Sequence, residues 1–322
     1  MTLCVLLAFA AAALAAGCGG SSSKSSSTPT TFTSSARDFP SAQGRTLGQI
    51  IHGLPTGPVL APSMSVVTAG VNRFGFALFS VDRKQIVGPP VALYLGSASG
   101  ANARGPFPVR QESLAVAPPF QSQTVASDPF AAKSVNVAYV PFSTAKIQAV
   151  VALLRINGKL EASNAEGVQL SNVAATPPAV GQRAIVIHTP TTASVGGNVS
   201  LIDTRTPPDD MHKVDFAKVV GHRPVILLFA TPQLCQSRVC GPVVDLVAQL
   251  EAKYGRQADF IHMEIYNGNQ VSKGYRPQVA AYRLPTEPWM FAIDRHGVIV
   301  ARIEGAFSAD ELEQAVQKAI AS

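Results

Sequence analysis

The chain has 322 residues, of which 47% are hydrophobic and 14% charged, with 24 prolines and 25 glycines. This length favours two domains, the apolar content suffices for their cores, and the proline and glycine content favours strands and turns. The formal net charge is +6, but the lysines and arginines are scattered and no nucleic-acid-binding motif is present. The charge therefore indicates a mildly basic surface, and nucleic acid is excluded as a predicted partner.

Residues 1–17 form an uncharged and almost wholly apolar segment. It is shorter than the roughly 20 residues of a membrane-spanning helix and ends in small residues, as a signal peptide does. Residues 14–18 resemble the lipobox of bacterial lipoproteins, which implies that Cys18 is acylated and becomes the new N-terminus. Leu14 lies one place earlier than the usual bulky residue and no lysine or arginine precedes it, so ordinary signal cleavage and an uncleaved anchor remain alternatives.

Residues 18–60 are predicted to be a flexible tether. Residues 19–35 are almost all glycine, serine and threonine, a composition too polar to form a core. A tether after an acylated cysteine would hold the folded part of the chain away from the membrane. The predicted location is the extracytoplasmic face of the bacterial cell membrane, with Cys18 as the lipid anchor.

Residues 61–170 have the pattern of an all-β domain. Turn signals separate short apolar or alternating runs over 65–69, 74–81, 91–95, 135–140 and 149–156. This spacing predicts a small β-sandwich of the immunoglobulin-like class, although no internal cysteine pair or tryptophan marks it. No chemistry is evident here, so a spacer or protein-binding module is expected. Residues 171–222 are predicted to be a linker that could add an edge strand to the next domain.

Helices and strands alternate from residue 223 to residue 322. Strands are predicted over 225–229, 259–265, 289–293 and 298–303, and helices over 240–254, over 276–282 and after Ser308. Ser308 and Glu311 match a capping box at the start of the last helix. The resulting order, β-α-β-α-β-β-α, is that of the thioredoxin fold, so an α/β domain of this class is predicted.

Three further features of this domain carry a resemblance to a known family. Residues 229–231, followed after a turn by Cys235, resemble the strand and active-site segment of extracytoplasmic thioredoxin-like (redoxin) proteins. Glu287 and Pro288 stand where that family has its cis-proline, and Gly305 matches its glycine before the final helix. The resemblance covers about a hundred residues, and it implies that Pro288 faces the cysteines and shapes the substrate groove.

The two cysteines of this domain, Cys235 and Cys240, are separated by four residues rather than the usual two. Residues five apart on a regular helix have Cα atoms roughly 8 to 9 Å apart, beyond the roughly 7 Å limit for a disulfide. Either Cys235 therefore lies in a loop before a helix that starts around Ser237, or the helix unwinds on oxidation.

Cys235 is the better candidate nucleophile, because it precedes the helix and lies near Arg238, and both features lower a thiol pKa. Cys240 would be the resolving thiol, and exchange would run through a mixed disulfide. Two departures from thioredoxins stand against this assignment. The strand 225–229 lacks a buried carboxylate, and Glu287 would disfavour a thiolate if it lay close. A permanent, structural disulfide is the alternative.

A metal site is a second alternative. Cys235, Cys240 and His262 could together hold copper, since Sco-type copper chaperones combine a thioredoxin fold, a Cys-x3-Cys motif and a distant histidine. The cysteine spacing differs by one residue from that motif. The other candidate histidines are His212, His222 and His296.

The cysteine count agrees with an extracytoplasmic redox protein. Of four cysteines, Cys4 would be lost with the signal peptide and Cys18 would be acylated, which leaves a single pair. The predicted function is membrane-anchored thiol-disulfide exchange with extracytoplasmic protein thiols or disulfides, without a cofactor. The alternatives are a non-catalytic binding lipoprotein with a structural disulfide and a Sco-like copper carrier.

Overall fold

The computed structural model describes residues 31–322. The predicted signal peptide, Cys4 and the lipidation site Cys18 lie outside the described residues. Within residues 31–322, no helix combines the length and apolar character that crossing a membrane requires.

The described chain contains three β-sheets and six α-helices. The strands are β1 Phe32–Thr33, β2 Val59–Pro62, β3 Gly70–Phe79, β4 Val91–Ser97, β5 Arg104–Pro108, β6 Arg110–Ser113, β7 Ser134–Phe142, β8 Ile147–Ile156, β9 Lys159–Ala162, β10 Glu166–Gln169, β11 Val225–Phe229, β12 Asp259–Met263, β13 Trp289–Ile293 and β14 Ile299–Glu304. The helices are α1 Leu47–Ile51, α2 Gln123–Ser127, α3 Phe216–Val219, α4 Cys240–Tyr254, α5 Pro277–Ala281 and α6 Ala309–Ala321.

The first two sheets form a β-sandwich. Their strand orders are β1-β6-β7-β3-β2 and β10-β8-β4-β5, and β9 also pairs with β8. The inward side chains of both sheets share one buried cluster, which includes Phe74 and Phe76 of β3 and Leu93 and Leu95 of β4. Alternating apolar residues on these strands thus bury one face of each sheet against the other. The sandwich architecture agrees with the sequence pattern, and the immunoglobulin-like subtype stays a prediction.

The described part of the predicted tether, residues 31–60, is folded rather than extended. Thr46 and Gln49 form a capping box at the start of α1. Leu47 and Ile50 of this helix are buried against the outer face of β4, around Tyr94. A few apolar residues at helical spacing therefore attach this polar segment to the sandwich, a contact that composition alone does not reveal.

Residues 223–322 fold in the predicted order. The sheet order is β12-β11-β13-β14, with β11 and β12 parallel and the other two pairs antiparallel. Alternate residues of β11 point to opposite faces of the sheet: Ile226 packs in the cluster with α4 and α6, and Leu227 packs in the cluster with α3 and α5. Burial on both faces explains the uninterrupted apolar run of this strand.

The linker between the domains adds an irregular edge to this sheet. Gly181 donates a backbone hydrogen bond to Ile299 O (2.8 Å), and Ile299 donates one to Gln182 O (2.9 Å). Arg183 and Val298 form an isolated antiparallel bridge. The pairing is too short to count as the edge strand that the sequence suggested, but it places this segment along β14.

The sandwich packs directly on α4 and α6. Leu114, Val135 and Val137 belong to the same buried cluster as the apolar side chains of these helices. Beside this cluster, Arg73 donates from Nε and Nη2 to the two carboxylate oxygens of Glu311, at 2.7 and 2.6 Å. A paired, two-pronged contact of this kind fixes relative orientation. The two domains therefore share a core, which a simple spacer would not need.

Candidate active site

Cys235 lies in the loop between β11 and α4, and Cys240 is the first residue of α4. Both are free thiols, with residue exposures of 5% and 0%. The helix starts three residues later than the expected Ser237. Cys235 therefore lies in the loop before the helix, which is the first of the two arrangements that the sequence left open. Arg238 adopts a left-handed backbone conformation, with φ of 59°, within the turn that connects them.

The surroundings of Cys235 stabilise its thiolate. A hydrogen bond from the Cys240 thiol is the largest influence, and Ser237 and the backbone N–H groups of Cys240 and Val239 add to it. Ser237 Oγ lies 3.2 Å from Cys235 Sγ. Together these donors outweigh burial and lower the pKa of Cys235 to about 6.

Cys240 has the opposite character. Burial, followed by the adjacent Cys235, raises the pKa of Cys240 well above its ordinary value. One thiolate and one protonated thiol therefore share this site at neutral pH. This asymmetry matches a nucleophile at Cys235 and a resolving thiol at Cys240.

Arg238 has a different partner from the one that the sequence suggested. Its Nη1 lies 3.2 Å from Asp128 Oδ2 in the sandwich domain, and its backbone oxygen accepts a hydrogen bond from Ala132 N (3.1 Å). The groups that chiefly lower the pKa of Cys235 are hydrogen-bond donors close to its sulfur, and Arg238 is not among them. Arg238 instead ties the cysteine loop to the sandwich.

Pro288 is buried and follows a cis peptide bond with Glu287, as the resemblance implied. The Pro288 carbonyl accepts a hydrogen bond from Gly305 N (2.9 Å), which joins β13 to the end of β14. Glu287 is half-buried, and burial together with the charge of Cys235 raises the pKa of Glu287 to about 7. The carboxylate that the sequence placed before the cis-proline is thus electrostatically coupled to Cys235.

A groove of about 600 Å³ lies beside the cysteine loop. Residues of 123–130, from α2 and the turn after it, form one wall, and the other wall consists of Thr206, Pro232, Gln233 and Arg238. Gln233 and Arg238 line the groove and flank Cys235 in sequence. The sandwich domain therefore helps to shape the surface next to the cysteine loop, although its sequence carries no catalytic signal.

A buried polar cluster holds that wall against α4. Asp245, on α4, accepts hydrogen bonds from Ser122 N (2.8 Å) and Ser122 Oγ (3.0 Å), and from Arg205 Nε (2.9 Å). Arg205 also donates from Nη2 to Phe120 O (2.7 Å). Satisfied buried networks of this kind order the segments that they join. The sequence did not indicate Ser122, Arg205 and Asp245, because they are far apart in the chain. Ser237, the hydroxyl donor beside Cys235, is only two residues from it, and this short spacing is the one local signal that could have been used.

His262 does not join the cysteines. Its Nδ1 lies 2.8 Å from Asp209 Oδ2, and its Nε2 lies 3.2 Å from Ala230 O. Among the described residues, the group with mutually close metal-ligating atoms consists of Asp203, Asp209, His212 and His262, and it contains neither cysteine. The other two candidate histidines, His222 and His296, are exposed.

No protein-family model matches this sequence, and no curated protein matches it. Solved structures similar to part of the chain include two thioredoxin-type proteins from Chlorobium tepidum. One is described as a candidate thiol:disulfide interchange protein DsbE, with 19% identity and a TM-score of 0.32, covering 44% of this chain and 98% of its own. The other, from strain TLS, is described as a thiol:disulfide interchange protein of the thioredoxin family, with 15% identity and a TM-score of 0.32, covering 44% of this chain and 99% of its own. Likenesses this low carry no argument about activity.

Proposed function

We propose that this protein is a thiol-disulfide oxidoreductase that acts through Cys235 and Cys240. The observation that carries the proposal is the asymmetry of the pair, in which hydrogen-bond donors stabilise the Cys235 thiolate while Cys240 stays protonated. A structural disulfide needs no such asymmetry. Residues 1–18 support the further proposal that the protein is lipid-anchored through Cys18 at the extracytoplasmic face of the membrane.

The exchange would start with the oxidised pair. A substrate thiolate attacks Cys235 Sγ, which forms a mixed disulfide and releases Cys240 as a thiolate that takes up a proton. A second substrate thiolate then attacks the substrate sulfur of the mixed disulfide and releases Cys235. The substrate gains a disulfide, and its two electrons reduce the cysteine pair.

The low pKa of Cys235 favours oxidation of the substrate by the cysteine pair over reduction of a substrate disulfide. A stabilised thiolate is a good leaving group, and stabilisation of the reduced form makes a dithiol pair more oxidising. The groove lined by residues of 123–130 and by Pro232, Gln233 and Arg238 would receive the substrate polypeptide. Pro288, which the resemblance assigns to the substrate groove, is not among the residues that line it. Because the proposed direction oxidises the substrate and the proposed location is extracytoplasmic, the proposed substrates are extracytoplasmic protein thiols.

The reduction potential of the pair tests the proposal. We expect a value above about −250 mV, in the range of exchange proteins, when thiol labelling is followed by mass spectrometry across dithiol buffers. A value below about −300 mV would mark a structural disulfide and favour the non-catalytic binding lipoprotein. Cys240→Ser should accumulate mixed disulfides with partner proteins, and the matched control Cys235→Ser should not.

A further inference from the structure

A second polar site lies away from the two cysteines, where the interdomain linker crosses β12. Asp203, Asp209 and His212 come from the linker, and His262 comes from the middle of β12. One potential ligand atom from each lies within 4.8 Å of all the others. All four side chains are almost completely buried.

His212 is the unexplained member of this group. The residue is only 2% exposed, and neither of its ring nitrogens has a hydrogen-bond partner within the described chain. Its Nε2 lies 3.5 Å from Asp203 Oδ2 and 3.5 Å from Asp209 Oδ1. These distances exceed an ordinary N–H···O bond of about 2.7 to 3.2 Å. They are close to the roughly 3.3 Å that separates two ligand atoms of a tetrahedral site with bonds of about 2.0 Å.

One ring nitrogen of His262 is held by a hydrogen bond, and the other faces the two carboxylates that also lie near His212. A carbonyl oxygen can only accept, so His262 Nε2 donates to Ala230 O at 3.2 Å. Its Nδ1 then faces Asp209 Oδ2 at 2.8 Å and Asp203 Oδ1 at 3.9 Å. A histidine that donates one N–H to a backbone carbonyl while the other nitrogen faces carboxylates is the usual arrangement of a metal ligand. A proton could bridge His262 and Asp209, but it would leave His212 without a partner.

Backbone groups hold both carboxylates in place. Asp203 accepts hydrogen bonds from Arg205 N at Oδ1 and from Asp209 N at Oδ2, each at 2.7 Å. Asp209 Oδ1 accepts one from Met211 N at 2.9 Å. The neighbouring Arg205 guanidinium is directed to Asp245 instead, so it does not neutralise this pair of charges. A protonated His262 would balance only one of these two buried carboxylates, so a second positive charge is still needed.

We propose that Asp203, Asp209, His212 and His262 bind one divalent transition-metal ion, for which zinc is the natural probe. Two imidazole nitrogens and two carboxylate oxygens suit zinc in a closed, four-coordinate site, and two carboxylates balance its charge. Such an ion would fasten the linker to β12 beside Ala230, at the start of the cysteine loop. The site is independent of the proposed redox activity, and its role would be structural.

The test is a zinc titration of the full chain after treatment with a chelator, in competition with a chromophoric chelator. We expect one tightly bound zinc in the wild type and in the double variant Cys235→Ser/Cys240→Ser. His212→Ala should bind at least about 100-fold more weakly. His188→Ala, which removes an exposed histidine, is the matched control and should bind as the wild type does.

Two results would overturn the proposal. The first is a wild type that binds no more zinc than His212→Ala, and the second is loss of the bound zinc in the double-cysteine variant, which would place the metal on the thiols. If His212→Ala does not fold, the thermal midpoint decides: zinc should raise it in the wild type and in the double-cysteine variant, and no rise in either refutes the site. A failed zinc test leaves the reduction potential of the cysteine pair as an independent measurement.

Discussion

Replacing Cys240 with alanine removes the thiol whose hydrogen bond contributes most to the low pKa of Cys235, and we expect that pKa to rise from about 6. A thiol with a pKa of about 6 is roughly 90% thiolate at neutral pH, whereas an ordinary cysteine with a pKa of about 8.5 is roughly 3% thiolate. Cys240→Ser keeps a hydroxyl donor, so its effect should be smaller than that of alanine. Ser237→Ala, which removes a second donor at 3.2 Å, should also raise the pKa.

A single rate of alkylation would conceal this change. A full shift to an ordinary pKa lowers the thiolate fraction about 30-fold, but a more basic thiolate is about 10-fold more nucleophilic for a Brønsted coefficient of about 0.45. The net loss of rate near neutral pH would be only about threefold. Cys235 is also just 5% exposed, so access of the reagent would add a second variable.

The midpoint of thiolate formation is the better observable. The ultraviolet absorbance of the thiolate can be followed against pH, as the difference between each protein and the same protein carrying Cys235→Ala. This difference removes the signals of Cys4 and Cys18. A wild-type midpoint near an ordinary thiol pKa, or an unchanged midpoint in Cys240→Ala, would refute the assignment of Cys235 as the stabilised nucleophile.

Two further predictions concern the coupling at the cis-proline and the contact between the domains. Cys235→Ser removes a thiolate that raises the pKa of Glu287, so carboxyl NMR should show that pKa falling from about 7, while burial keeps it above its usual value; no change would contradict the coupling. Gly305→Ala should lower the free energy of unfolding in urea by more than about 2 kcal/mol, because its φ is +75° and a Cβ atom would lie 1.8 Å from Ser63 O. Gly221→Ala, at φ +81° with nothing within 4 Å, is the control for backbone strain alone and should cost about 1 to 2 kcal/mol; equal losses would argue against the steric contact.

Local sequence determined the secondary structure of the C-terminal domain and the position of its cysteines. The apolar run at residues 225–229 reads as a strand because both of its faces are buried. The distance limit for a disulfide left a loop at Cys235 as one of two alternatives, and the structure places Cys235 in a loop. Periodicity and helix caps act over a few residues, so they can be read without knowledge of the fold.

The surroundings of these residues depended on contacts between distant parts of the chain. Residues 31–60 looked too polar to fold, yet Leu47 and Ile50 find a partner surface on β4. The sandwich looked like a spacer, yet residues of 123–130 form a wall of the groove beside the cysteine loop.

The electrostatic environment of the candidate sites was also decided by the tertiary structure. The sequence placed Arg238 near Cys235, but its guanidinium pairs with Asp128 from the other domain. His212 and His262, fifty residues apart in sequence, converge on Asp203 and Asp209. Charges and ligands act through space, so their partners are fixed by packing of the chain rather than by spacing along it.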